Sequence, residues 1–232
     1  MTNGGYIGVP DRLRYNTLPT GGIWNPRDVI LSKQTRTIFR HPSLSQGLIS
    51  YWSLEEASGT RVDAITASGN DLTDNNTVTQ AAGKIANCAQ FTAANTEYLT
   101  RADNASLSTG DINFWFSCWI YMDSLGAQRF VLSKGHTSGG NPMEYWLYVG
   151  SGDTVSWNVG TASNSKATAT SHRLAVSTWF NLVAYHDSDN NEIGVYVNGE
   201  KYTAAWATGA ADTTYNFCIG RDDVLAGTYW DG

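Results

Sequence analysis

Residues 179–204 read WFNLVAYHDSDNNEIGVYVNGEKYTA. The first eight alternate Trp179, Asn181, Val183 and Tyr185 on one side with Phe180, Leu182, Ala184 and His186 on the other. That period of two belongs to a strand, and neither face is polar. A second run, IGVYV, meets EKYTA through Asn198-Gly199. Asn-Gly takes up the positive φ values of a type I′ turn, so a tight hairpin is expected there. The whole stretch predicts adjacent antiparallel strands.

The same signature extends outward from this stretch. LISYWSL (48–54), KIANCAQF (84–91), EYLTRA (97–102), INFWFSCWIYM (112–122), RFVLSKG (129–135), EYWLYVG (144–150), TVSWNVG (154–160) and YNFCIG (215–220) are rich in β-branched and aromatic residues. Each is bounded by Gly, Asn, Asp or Ser, as strands are. No stretch has convincing helical period. Ten or more short strands without helices predict an all-β antiparallel sandwich or barrel. In INFWFSCWIYM, the face Ile112, Phe114, Phe116, Cys118, Ile120, Met122 is the core candidate. The opposite face, Asn113, Trp115, Ser117, Trp119, Tyr121, is either covered by a loop or partly open.

Composition sets the limits. The chain has 232 residues, 41% hydrophobic and 16% charged, which supports a sizeable core rather than disorder. Nine Trp and twelve Tyr fit a β-sandwich or a contact face for sugars. No apolar window is long enough to span a bilayer, so membrane insertion is not expected. The three cysteines (Cys88, Cys118, Cys218) have no metal-ligand spacing and read as buried thiols.

The first 44 residues differ from the rest. They hold four of the five prolines, and six basic residues against two acids, a net of +4. The remainder then carries −10 of the formal −6. Residues 1–44 are read as an extended basic arm, which either wraps its own domain or docks on a neighbouring subunit. Its scattered charges form no cluster of the kind nucleic acid requires.

The order of GLISYWSLEEASGTRVDAITASGNDLTDNN, GKIANCAQFTAANTEYLT, LSTGDINFWFSCWIYMDS, STWFNLVAYHDSDNNEIGVYVNGEKY and FCIGRDD…YWDG resembles the laminin G-like, pentraxin-like branch of the concanavalin A-like jelly rolls. The resemblance covers about residues 47–232. It implies a two-sheet antiparallel jelly-roll sandwich over 45–232, preceded by the arm. It also implies one further strand after Tyr229-Trp230-Asp231-Gly232, so that the sandwich as given is one strand short.

Three kinds of chemistry come into question for these residues. Sugar rings stack on aromatic faces, and Trp115, Tyr121, Trp146, Tyr148 and Trp157 are the candidate platform, with ordinary packing as the alternative. The resemblance implies a rim Ca²⁺, which needs clustered oxygen ligands. Glu56, Asp63 and Asp231 are the candidate ligands, with solvated loop acids as the alternative. Catalysis is not expected: no string of carboxylates along one strand suits a glycosidase, no Gly-x-Ser-x-Gly elbow occurs, and the four His are scattered.

The N-terminus shows no secretory pattern. Together with unpaired cysteines and a docking arm, this leads to the expectation of a non-catalytic phage virion protein. It would be a decoration, fibre or tail-associated subunit, folded in the host cytoplasm, anchored to other virion subunits through residues 1–44 and present as a homo-oligomer in the assembly. Its jelly roll would face a host glycan or a protein. The alternative is a carbohydrate-binding module from a larger secreted bacterial surface protein or glycosidase.

Overall fold

The computed structural model describes residues 47–136, 143–161, 166–224 and 227–232. The chain divides into two compact units, Met1–Ile49 and Ser50–Gly232. The expected arm, 1–44, lies outside the described residues. The second unit is a β-sandwich.

Among the described residues, thirteen strands run in chain order: β1 (Thr73–Asn75), β2 (Thr79–Ala82), β3 (Asn87–Gln90), β4 (Tyr98–Arg101), β5 (Phe114–Ile120), β6 (Arg129–Gly135), β7 (Met143–Val149), β8 (Thr154–Gly160), β9 (Lys166–Arg173), β10 (Phe180–Asp187), β11 (Glu192–Val197), β12 (Glu200–Ala205) and β13 (Phe217–Ile219). Seven form one sheet in the order β1-β4-β13-β6-β7-β8-β9. Four form the second, β12-β11-β10-β5, and β2-β3 is a separate hairpin. All pairings are antiparallel. Among the described residues, no helix is long and apolar enough to cross a membrane.

The alternation read from the sequence is the one that buries. In β10, Phe180, Leu182, Ala184 and His186 are buried, and the intervening residues are half-buried. In β5, the face bearing Phe114, Phe116, Cys118 and Ile120 turns inward, and Trp115 and Trp119 turn out. The β11–β12 turn has Asn198 at φ 51° and Gly199 at φ 88°, the left-handed values the Asn-Gly pair supplies without strain.

Three strands escaped the sequence reading. β1 and β9 are the two edges of the seven-stranded sheet, and β2 is one strand of the separate two-stranded hairpin. Their sequences, TDN, KATATSHR and TQAA, are polar or small, as edges that resist further pairing tend to be. In the other direction, LISYWSL is not a strand. It contributes one isolated bridge, Trp52 to Asp63, because the Tyr51 amide donates to the Asp63 carboxylate instead of to a ladder.

Residues 229–232 are held by backbone hydrogen bonds to three separate parts of the sandwich. The Trp230 amide donates to Gly220 O (2.7 Å), Asp231 O accepts from the Asp123 amide (2.9 Å), and Gly232 exchanges both backbone bonds with Phe91 (2.9 and 3.0 Å). This extended segment joins the end of β3 to the residues that follow β5.

The core is closed by aromatic rings from both sheets. Phe114 and Phe116 of β5 meet Tyr145 of β7 and Trp157 of β8, with centroids 4.9–6.1 Å apart. Trp157 is 0% exposed, and its indole N–H donates to the Tyr185 carbonyl of β10 at 2.8 Å. One side chain thus fills the interior and ties the two sheets. Trp157→Ala should lower the unfolding free energy by about 3–5 kcal/mol, as measured by denaturant titration. Trp157→Phe should cost less, because it keeps most of the ring volume.

Candidate functional site

The outward side of the four-stranded sheet is an aromatic face. Register places Trp115 opposite Tyr185, and Trp119 opposite Asn181, on β5 and β10. Trp115 is 57% exposed and Trp119 42%. Just beyond the end of β5, the Tyr121 and Trp179 rings pack at 5.3 Å. Residues four apart on a strand lie about 13 Å apart, so Trp115 and Trp119 span the length of a short oligosaccharide. Single exposed apolar residues are ordinary, but a row on one face marks a contact surface.

Tyr185 is positioned by an absence. It sits opposite Gly194 of β11, where a Cβ would lie 2.3 Å from the phenol ring. Only glycine lets the ring lie flat on the neighbouring strand. The Tyr185 hydroxyl donates to the Glu192 carboxylate, and Lys201 Nζ approaches the same Oε1 at 2.9 Å. Lys201 also lies 5.5 Å above the Tyr185 ring, and Tyr196 packs beside it at 5.9 Å. Burial and then the bond to Glu192 push the phenol up to about 12. The Tyr185 hydroxyl and Lys201 hold Glu192 below the usual carboxylate range. At the other end, Lys84 Nζ stands 5.3 Å above Trp119.

The five residues expected to form the sugar platform do not share one surface. Trp115 and Tyr121 lie on this face. Trp146 and Tyr148 belong to the seven-stranded sheet, packed with Phe130 and Met143 in a second apolar cluster. Trp146 is buried, with its N–H on the Gly135 carbonyl. Trp157 is in the core and offers no ring face to a ligand, a correction that follows from its inward parity on β8. Trp119, Tyr185 and Tyr196 were not singled out in the sequence. Their signal was the shared parity of Trp115 with Trp119 on one strand and of Tyr185 with Val183 on the other.

The implied calcium ligands do not fit the ion. Asp63 Oδ1 accepts from the Tyr51 and Ile65 amides (3.0 and 2.9 Å), and Oδ2 accepts from Ser68 Oγ and the Asn70 amide (2.8 and 3.3 Å). Asp231 Oδ1 accepts from the Ala93 amide, and Oδ2 accepts from Ser124 Oγ with Arg129 at 3.7 Å. Glu56 Oε1 accepts from the Val62 amide. Asp63 and Asp231, ringed by N–H and O–H donors, present positive hydrogens where a cation would need oxygens, while Glu56 Oε2 is buried without a hydrogen-bond partner. Among the described residues, no group of three His, Cys, Asp or Glu could hold a metal. These acids fasten loops instead. Burial pushes Asp63 up, but hydrogen bonds from the Tyr51 and Ile65 amides and the Ser68 and Ser50 hydroxyls outweigh that and hold it below its usual value.

This fold defines a concanavalin A-like jelly roll. A laminin G-type family model, described as the concanavalin A-like lectin/glucanases superfamily, matches residues 93–232, and the chain belongs to that family. Among solved structures, the binding domain of Paraclostridial Mosquitocidal Protein 1 is similar at TM-score 0.62 and 11% identity, over 78% of this chain and 46% of that one. Domain 4 of AbnA, a GH43 extracellular arabinanase from Geobacillus stearothermophilus solved with arabinotriose, is similar at 0.54 and 15%, over 76% and 89%. A mutant Trypanosoma rangeli sialidase is similar at 0.56 and 14%, over 81% and 29%. This chain therefore spans less than half of the mosquitocidal and sialidase chains. No curated protein sequence matches it significantly.

Two outcomes are expected for the loop acids. EDTA should leave the melting temperature unchanged, read by differential scanning fluorimetry. Asp63 has a lowered folded-state pKa, so its stabilisation is present above the ordinary value of about 3.9 and is lost as pH falls through the lowered one. The stability gap between the native chain and Asp63→Asn should therefore be largest near neutral pH and shrink below about pH 4, measured by denaturation at a series of pH values.

Proposed function

We propose that this chain is a non-catalytic glycan-binding jelly roll whose platform is the outer face of β5 and β10. The observation that carries this is the pair of exposed indoles, Trp115 and Trp119, aligned with a tyrosine laid flat on Gly194. Sugar C–H faces stack on such rings, and Lys201, Glu192 and Asn181 supply hydrogen-bonding groups at the edge of the face. The arabinotriose held by AbnA domain 4 supports the reading that this sandwich is compatible with saccharide binding.

The carboxylates beside the platform favour binding over hydrolysis. Asp187 accepts from the Asn190 amide and side chain, and Glu192 accepts from Tyr185 and Lys201. Those partners hold both below the usual carboxylate range. A glycosidase needs one carboxyl kept protonated as the general acid, which requires a raised value.

The same proposal sets the module on a phage virion, joined to other virion subunits through residues 1–44. That part rests on the composition of the segment, basic and proline-rich ahead of an acidic domain.

A glycan array probed with the full chain should give hits. Trp115→Ala should weaken them about tenfold or more, equivalent to about 1.4 kcal/mol, without lowering the melting temperature. An array without hits would overturn the reading.

A further inference from the structure

The most unusual chemistry in the sandwich lies away from the aromatic face, at one end of the seven-stranded sheet. Lys134 of β6 has a side chain with 0% exposure. Its Nζ donates to Asp103 Oδ1 at 2.8 Å, Glu144 Oε1 at 2.5 Å and the Thr213 carbonyl at 2.8 Å. Its register partners are Tyr145 on β7 and Phe217 on β13, both fully buried aromatics. A lysine enclosed by rings on both neighbouring strands is largely stripped of water, which holds its Nζ against the three oxygens it touches.

Glu144 is placed there by a bulge. The β6–β7 register slips between Lys134 and Gly135, so Met143 and Tyr145 have partners and Glu144 has none. Bulges re-aim the extra side chain, and this one turns a carboxylate onto the lysine. Glu144 is itself 0% exposed. Its Oε1 also accepts from the Thr213 amide (2.7 Å) and hydroxyl (2.8 Å). Its Oε2 is buried without a hydrogen-bond partner. An orphaned carboxylate oxygen is costly, and such atoms call for a functional account. Burial pushes this carboxyl above its usual value against the pull of Lys134, so it is ready to accept a proton.

Asp103 completes the group. It follows β4, and its carboxylate is 35% exposed. Its Cγ lies one C–O bond, about 1.2 Å, beyond the oxygen already touching Nζ. Reacting atoms held close together in this way convert a slow bimolecular condensation into an intramolecular one.

We infer that Lys134 and Asp103 condense into an intramolecular isopeptide bond, with Glu144 as the proton shuttle. Glu144 takes a proton from the Lys134 ammonium. The freed amine attacks Asp103 Cγ, forming the N–C bond. The proton carried by Glu144, with the second proton shed by the nitrogen, goes to the departing Asp103 oxygen, and the C–O bond breaks. One ammonium and one carboxylate become one amide and one water, with no net proton, electron or co-reactant. The exposed side of Asp103 is the exit for the water. The product removes a buried ammonium, whose desolvation is costly even when paired. It also staples the end of β4 to β6 across β13, which lies between them. Such a cross-link constrains the unfolded chain and raises stability.

Intact-mass spectrometry of the purified full chain, held until the mass stops changing, is the test. The native chain should be lighter than its sequence by one water, and digestion should yield a branched peptide joining Asp103 to Lys134. Asp103→Ala, at a partly exposed position, should fold, have its full mass and melt lower. Asp103→Asn should still close, losing ammonia instead of water. Glu144→Gln should fold but close far more slowly. A native chain of full mass, with no branched peptide, would overturn the inference and leave the three residues as an ion-pair network only.

Discussion

The structure depends on the indole of Trp157. Its ring lies among Phe114, Phe116 and Tyr145, and its N–H reaches across the sandwich to the Tyr185 carbonyl. A buried indole must satisfy that donor, and here the acceptor belongs to the opposite sheet. Because the bond fixes β8 against β10, it also fixes the strand that presents Tyr185 outward. The inner and outer faces of the four-stranded sheet are in this way coupled through a single strand, β10.

Around that core, carboxylates fasten the loops through hydrogen bonds. Asp63 gathers three backbone amides and the Ser68 hydroxyl, and Asp231 fastens the last extended segment to Ala93 and Ser124. A family resemblance pointed to such residues because acidic loops at the rim of these sandwiches are where cations bind. The sequence shows that the acids are there. It does not show that amide hydrogens already surround their oxygens, which is a matter of loop conformation.

Much of the fold was legible. Strands β6 and β8 match the runs read from the sequence residue for residue, since apolar residues bounded by turn formers leave little choice. The Asn198-Gly199 hairpin was equally plain. The polar edge strands β1 and β9 were not, because an edge lacks the two-sided burial that writes itself into sequence. The candidate site was half legible. Parity on β5 separated Trp115 and Trp119 from the core face, yet the same aromatic signal led into the core at Trp157 and into a separate buried cluster at Trp146. Aromatic residues serve core and surface alike, and parity gives opposite faces without saying which one meets the other sheet.

By itself, the sequence determined an antiparallel all-β fold, the alternation within each strand, the tight hairpin and an acidic domain behind a basic segment. Those follow from local backbone preference and from which residues avoid water. Only the tertiary structure decided which tryptophans remain in solvent, that Tyr185 lies over Gly194, and that Asp103, Glu144 and Lys134 converge. Each of these brings together residues from different strands or loops. Such meetings are set by sheet order and register, and register is fixed by the packed core as a whole rather than by any one segment.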